Sequence, residues 1–369
     1  MSRPIVITGG GTGGHIFPMQ AIAEQLHAAG VPLGAIRFVG SRRGQEGQIL
    51  SDTGIALTLL PGRGISRSIS PRSLVRNLGA AISLVMGFAL AFFKVGIWRP
   101  RVVVSVGGYA SFAVAMSAVI WRRPLIVVEL DATPGAVHRV VGRFAIKHCV
   151  AFGSGETNEV VTGAPIRNAL QKLDRSVVAR SRARAEMSPP IESHRRVLVV
   201  MTGSLGARSV NDAVLDLARL WSDRDDLTIL HVTGRRNYDN VSAKVPTTQQ
   251  LDYRIMPFGD MVQLWSVADI ALCRAGATTV AELTALGIAS ILVPLPNAPG
   301  DHQYKNAVAV EKAGGALVLQ DDKCTGATLA HSLDVILADN VANQMGENAH
   351  RLGHLDAASA IAKVILEVG

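Results

Sequence analysis

Two glycine turns, each entered from a β-branched strand, constrain this chain more than any other feature. Ile5-Val6-Ile7-Thr8 runs into Gly9-Gly10-Gly11-Thr12-Gly13-Gly14-His15, and Val197-Leu198-Val199-Val200-Met201 runs into Thr202-Gly203-Ser204-Leu205-Gly206-Ala207. A strand, a turn almost bare of side chains and a following helix bring backbone N–H groups and a helix N-terminus up to an anion. The arrangement occurs twice, so two nucleotide-type domains facing each other across a cleft are predicted. A length of 369 residues suits two domains with full cores.

The rest of the chain alternates strand with helix, which implies α/β architecture and parallel sheets. Strands are expected near 3–8, 35–40, 56–60, 101–106, 125–128, 147–151 and 159–161, then near 197–201, 227–232, 253–256, 268–272, 289–293 and 316–319. The first domain is read as 1–164, a linker rich in Pro, Arg and Ser as 165–195, and the second domain as 196–350. A last helix within about 351–369 is a candidate to cross back to the first domain.

Charge is unequally shared. Residues 1–165 hold 16 Lys+Arg against 7 Asp+Glu, while the remainder hold 21 against 22. An excess in one half points to an anionic surface or ligand there. Few aromatics and no helix-turn-helix or finger pattern argue against nucleic acid. A membrane surface fits better, because Arg67, Arg72 and Arg76 precede the 17-residue uncharged run Asn77–Phe93, and Lys94, Arg99 and Arg101 follow it. That run is at the short limit for spanning and contains Gly79, Ser83 and Gly87, so a buried or interfacial helix is expected. Cys149, Cys273 and Cys324 form no CxxC pair and are read as reduced thiols. Met1-Ser2-Arg3-Pro4 leads straight into the first strand, so no secretory leader and a cytoplasmic location are expected.

Gly9-x-Gly11-x-x-Gly14 fits the dinucleotide fingerprint, which is weak evidence alone. A dinucleotide domain should end its second strand in an acid for the ribose diol, but here the strand ends Gly40-Ser41-Arg42-Arg43. The first loop also ends in His15, and a whole second domain repeats the turn.

Ordered motifs sharpen the reading. After the first glycine turn come Gly107-Gly108-Tyr109-Ala110-Ser111, Gly163-Ala164-Pro165-Ile166-Arg167, the second turn, Cys273-Arg274-Ala275-Gly276-Ala277 and Asp301-His302-Gln303. In that order, over essentially the whole chain, they make it resemble the MurG group of glycosyltransferase family 28. The resemblance implies the GT-B fold, two Rossmann-like doubly wound parallel-sheet domains with an interdomain cleft. It implies inverting transfer of N-acetylglucosamine from UDP-N-acetylglucosamine to undecaprenyl-diphosphate-MurNAc-pentapeptide, lipid I to lipid II, in peptidoglycan synthesis. No tightly bound metal and no other cofactor are implied. The partners would be UDP-N-acetylglucosamine, a polyprenyl-diphosphate lipid and the anionic cytoplasmic membrane surface, with the protein peripheral on the inner membrane.

The resemblance also assigns residues. Ser204 and Gly206 suit the donor diphosphate, Arg167 is a cation near the donor, and Glu282 accepts the ribose diol. The bland alternative for Glu282 is an acid near a helix start, favoured by the helix dipole. Phe258, Ala277, Thr278, Thr279, His302, Gln303 and Asn306 complete the donor set. Thr12, Gly13 and Gly14 are counted with the donor too, although their loop also borders the acceptor side. His15 is either the base that takes the acceptor proton or a contact to the acceptor diphosphate. Tyr109, Asp131 and Asn211 are acceptor-side candidates.

The departures fall at the substrate-facing loops. The family's His-Glu-Gln-Asn is Val128-Glu129-Leu130-Asp131 here, so Glu129 or Asp131 is an alternative base, or Asp131 repels a diphosphate. Ser111-Phe112-Ala113 replaces Ser-Gly-Pro, Leu205 replaces a glutamine, and Ala164 an asparagine. These changes keep two alternatives open, another lipid acceptor or a non-catalytic UDP-sugar-binding homologue. Asp223-Arg224-Asp225 has the letters of a metal-binding DxD but sits in a polar connection, so it is read as a solvated turn.

Overall fold

The structure is a computed structural model; it describes residues 3–11, 13–62, 71–203 and 206–369, with the side chains of 71–78 left out. The chain divides into two compact units, Met1–Arg167 with Asp356–Gly369, and Asn168–Leu355.

In the first unit the elements run β1 (Ile5–Thr8), α1 (Gly13–Ala28), β2 (Ile36–Ser41), α2 (Glu46–Ile49), β3 (Ala56–Leu60), α3 (Pro71–Trp98), β4 (Val102–Ser105), α4 (Tyr109–Ile120), β5 (Leu125–Glu129), α5 (Ala136–Val141), β6 (Lys147–Val150) and β7 (Glu159–Val161). Among the described residues its sheet has seven strands in the order β3-β2-β1-β4-β5-β6-β7, and the register is parallel throughout. β1, β4 and β5 are buried along their whole length, as strands covered on both faces must be. α1 begins at Gly13, inside the glycine turn, because glycines are tolerated in a first turn whose N–H groups have no intrahelical partner.

The second unit runs α6 (Asn168–Gln171), α7 (Val177–Ala185), β8 (Arg196–Met201), α8 (Arg208–Leu220), β9 (Leu227–Val232), α9 (Tyr238–Ser242), β10 (Asp252–Met256), α10 (Met261–Val267), β11 (Ile270–Cys273), α11 (Ala277–Ala285), β12 (Ala289–Leu292), α12 (His302–Lys312), β13 (Ala316–Val318), α13 (Gly326–Leu337) and α14 (Val341–Leu352). Its described strands are ordered β10-β9-β8-β11-β12-β13, again all parallel. α15 (Ala357–Val368) then rejoins the first unit, where it packs on α1 and β4.

The segment read as a linker is divided between the units. Pro165–Arg167 ends the first, and 168–195 joins the second, burying Leu170, Met187 and Ile191 and reaching α10 and β11 through arginines. Arg184 donates to the Val267 carbonyl at 2.9 Å and to Asp269 Oδ2 at 2.6 Å, and Arg180 reaches Asp269 Oδ1 at 2.8 Å.

Both sheets reverse their strand order beside the central strand, between β1 and β4 and between β8 and β11. Ligands of open α/β sheets bind outside the carboxyl ends of the strands at such a reversal. The two glycine turns follow β1 and β8, so each unit carries its turn at its own switch point.

α3 contains Gly79–Trp98, long and apolar enough to cross a membrane by length and composition. One face of it, Ala91 and Val95, packs into the cluster formed by Val103, Val114 and Ala118. The other face leaves Ile82, Val85, Met86, Phe93 and Ile97 exposed.

Candidate active site

In the first unit the turn after β1 is shaped by a buried acid. Glu46, at the start of α2, is fully buried, and its Oε1 accepts the N–H of Gly11 at 3.0 Å and of Ser41 at 2.8 Å. A Cβ on Gly10, Gly40 or Gly44 would overlap this carboxylate, so three glycines make room for it. The turn after β4 approaches just as closely. Gly107 and Gly108 have φ of 101° and 82°, and a Cβ on Gly108 would run into the Gly10 carbonyl. Tyr109 follows at the start of α4, beside Gly11 and Gly62, with its hydroxyl bonded to Ser41 Oγ and its ring partly in solvent.

His15 is the third residue of α1, and its ring lies against Gly107 beside His138. Its Nδ1 is buried with no hydrogen-bond partner among the described residues. Burial pushes its pKa below the ordinary 6.5, while Asp131, Glu129 and Glu46 pull the other way and His138 adds to the lowering. His15, Glu129 and Asp131 are therefore brought together. Glu129 is largely committed elsewhere: its Oε2 accepts the Gly135 N–H at 3.1 Å and the His138 Nδ1–H at 2.7 Å. His138 Nε2 meets Ser105 Oγ at 3.0 Å, which completes a buried Ser–His–Glu chain under the site. Gly13 and Gly14 form the first turn of α1, and Thr12 lies outside the described residues. Arg167 belongs to this unit, with its guanidinium 4.5 Å from the Phe17 ring centroid.

In the second unit the turn after β8 carries Gly203 and Gly206 at φ of 86° and 75°, and Ser204 and Leu205 lie outside the described residues. Gly206 is closely backed by the Thr233 carbonyl and Asn237. Asn211, read as a cleft residue, is 1% exposed. Its amide donates to the Thr233 carbonyl at 3.0 Å and its oxygen lies 3.0 Å from His231 Nε2, so it braces the turn from beneath instead of presenting a surface. Burial lowers the His231 pKa to about 3, and the neutral ring bridges Asn211 and the Tyr253 hydroxyl.

Glu282 is the sixth residue of α11, not a first-turn acid, so the dipole explanation does not apply. It is 2% exposed, and its Oε2 accepts the Trp265 Nε1–H at 3.0 Å. Ala277, Thr278 and Thr279 form the first turn of α11 and are partly exposed. Phe258 is exposed under the Arg235 guanidinium, 5.2 Å from the ring centroid. Gln303 Oε1 accepts the Leu295 N–H at 2.9 Å, His302 Nδ1 meets the Pro299 carbonyl at 2.9 Å, and buried Asn306 donates to the Ala275 carbonyl at 3.2 Å. The Gln303 and Asn306 bonds tie α12 to the segments after β12 and β11, while the His302 bond stays within the turn that enters the helix.

Three residues escape a sequence reading: Glu46, His138 and Trp265. Glu46 lies in the polar run Arg42–Gln48, and only the surrounding glycines hint that it turns inward. In the DxD-like turn, Arg224 pairs with Asp226 at 2.6 Å and Asp334 at 3.2 Å. Among the described residues no three His, Cys, Asp or Glu side chains gather as a metal site.

Comparison with known proteins agrees with this geometry. Residues 5–150 match the glycosyltransferase family 28 N-terminal domain and residues 197–363 its C-terminal domain. A relative from Xylella fastidiosa (strain M12), named UDP-N-acetylglucosamine--N-acetylmuramyl-(pentapeptide) pyrophosphoryl-undecaprenol N-acetylglucosamine transferase, is 35% identical over 99% of this chain and 96% of its own. A relative of the same name from Syntrophus aciditrophicus (strain SB) is 34% identical over 98% and 97%. The crystal structure of MurG from Acinetobacter baumannii superposes with a TM-score of 0.77 at 24% identity, covering 99% of each chain. The glycosyltransferase of kitacinnamycin reaches 0.72 at 13% identity over 99% of each chain, so the fold is the GT-B fold expected from the sequence. The chain belongs to glycosyltransferase family 28, in its MurG group.

Proposed function

We propose that this chain transfers N-acetylglucosamine, with inversion, from UDP-N-acetylglucosamine to undecaprenyl-diphosphate-MurNAc-pentapeptide, the step from lipid I to lipid II. The observation that carries this reading is identity of about a third, over almost the full length, to enzymes named for that reaction. The two glycine turns supply what the chemistry needs.

The second unit serves the donor. The turn ending at Gly206 and the N-terminus of α8 stabilise the departing diphosphate with backbone N–H groups. Glu282 accepts the ribose hydroxyls. Gln303, Asn306 and His302 serve the sugar, and Phe258 with Ala277, Thr278 and Thr279 lines the donor position. The first unit serves the acceptor. His15, kept neutral near pH 7 by burial, takes the acceptor hydroxyl proton. The new C–O bond forms as the bond from C1 to the diphosphate breaks, and UDP leaves with the electron pair. With Glu129 engaged by His138, His15 is the better placed base. Tyr109 orients the acceptor. Transfer proceeds without a bound metal in this reading, and the exposed face of α3 rests on the anionic cytoplasmic membrane surface.

A second reading rests on Asp131. A carboxylate close enough to act on His15 disfavours a diphosphate there and fits a lipid acceptor without one. Release of UDP from UDP-N-acetylglucosamine, measured in EDTA with a soluble lipid I analogue and then with uncharged lipid acceptors, separates the two. Release that depends on the lipid I analogue supports the first. Release with an uncharged lipid alone supports the second, and UDP-sugar binding without release under any acceptor excludes both.

A further inference from the structure

We infer that Trp265 is a positioning residue for donor recognition, setting the orientation of the Glu282 carboxylate and with it the preference for ribose over deoxyribose. The inference rests on the proposal that Glu282 receives the ribose diol. Trp265 is a fully buried side chain on α10, and an indole N–H can only donate. A buried indole N–H needs an acceptor, and a buried carboxylate needs donors. The 3.0 Å bond from Nε1 to Glu282 Oε2 meets both needs at once. With one oxygen anchored, rotation of the carboxylate about its last bond is arrested, and its plane is set before any ligand arrives.

The anchor itself is held at both ends of a short helix. Asp260 caps α10, accepting the N–H groups of Val262 at 2.8 Å and Gln263 at 3.0 Å. At the other end Arg175 donates to the Trp265 and Ala268 carbonyls, and Arg184 donates to the Val267 carbonyl. Cationic groups on the last carbonyls of a helix satisfy acceptors that have no intrahelical partner. The Trp265 backbone therefore has little freedom, and the indole transmits that rigidity across to α11. A phenylalanine would fill much of the same volume and withdraw the indole N–H from Oε2.

The test is calorimetric binding of UDP and 2′-deoxy-UDP to the wild-type chain, Trp265→Phe and Glu282→Ala. Trp265→Phe is expected to weaken UDP binding about tenfold while 2′-deoxy-UDP changes little, the scale of one hydrogen bond to a charged group. Because an altered core can unfold the chain, the companion variant places benzothienylalanine at position 265, which keeps the fused ring and deletes only the N–H. If Glu282→Ala keeps the full ribose preference, the ribose reading itself fails. If Glu282→Ala abolishes the preference but the benzothienylalanine chain retains it, the ribose reading stands and the role given to Trp265 is overturned.

Discussion

His138 Nδ1 lies 2.7 Å from Glu129 Oε2, and because a carboxylate can only accept, the imidazole is the donor. One of the two acids that the sequence offers as a base therefore has a structural engagement. Glu129→Gln retains an acceptor for the His138 and Gly135 N–H groups, so it should keep turnover within about tenfold, whereas Glu129→Ala should lose about 1–3 kcal/mol of stability in urea unfolding. A drop of several orders of magnitude in Glu129→Gln with an unchanged unfolding midpoint would make Glu129 the base in place of His15.

His15→Ala should slow transfer about 10²–10⁴-fold while leaving UDP binding within a factor of two, on the scale of a lost general base. The pH profile gives an independent check. Burial holds the His15 pKa below 6.5, so its basic form persists through neutrality and the acid limb of kcat/KM should fall only below pH 6.5. A profile already falling above pH 7 would remove His15 from that role.

Glu282→Ala should weaken UDP-N-acetylglucosamine binding about ten- to a hundredfold, equivalent to about 1.5–3 kcal/mol. Isothermal titration reads this directly. Unchanged affinity would move the ribose contact elsewhere.

Ile82→Asp combined with Phe93→Asp should reduce sedimentation with phosphatidylglycerol vesicles by roughly tenfold or more, because two exposed apolar side chains no longer enter the interface. Turnover of a soluble acceptor analogue should stay near wild type. Equal vesicle binding by the variant would assign membrane contact to another face.

His231 carries an acid sensitivity whose sign follows from its burial. Its folded pKa of about 3 lies below the ordinary 6.5, so the unfolded chain takes up the proton first as pH falls. The stability contribution is complete well above pH 6.5 and is lost progressively down to about pH 3, on the order of 5 kcal/mol in all. His231→Gln should flatten that slope while costing about 1–2 kcal/mol at pH 8. Urea unfolding at pH 8, 6 and 4.5 distinguishes the two chains.

What the sequence discloses follows the range of the forces involved. β3 and β9 are visible residue for residue because short, largely apolar runs bounded by turn residues are local signals. The glycine turns are equally legible, since a positive φ and close backbone approach leave little choice of residue. The side chains that support them are not. Asn211 looks like a surface amide on a helix, and only the pairing of β8 with β9 brings His231 and the Thr233 carbonyl onto it. Trp265 and Glu282 stand on different helices with β11 between them in sequence, so no local spacing joins them. The arginines of α7 read as solvent-seeking because composition cannot tell a guanidinium in water from one holding the end of another helix.

α15 has a consequence for how the chain is made. Its buried Ile361 and Ile365 belong to the first unit, yet the whole of Asn168–Leu355 is synthesised before them. The first unit therefore lacks the helix that covers α1 throughout synthesis of the second. For that interval the nascent first unit shows an uncovered apolar flank as well as the exposed face of α3, so the late-arriving helix ends the period in which this unit is most prone to aggregate.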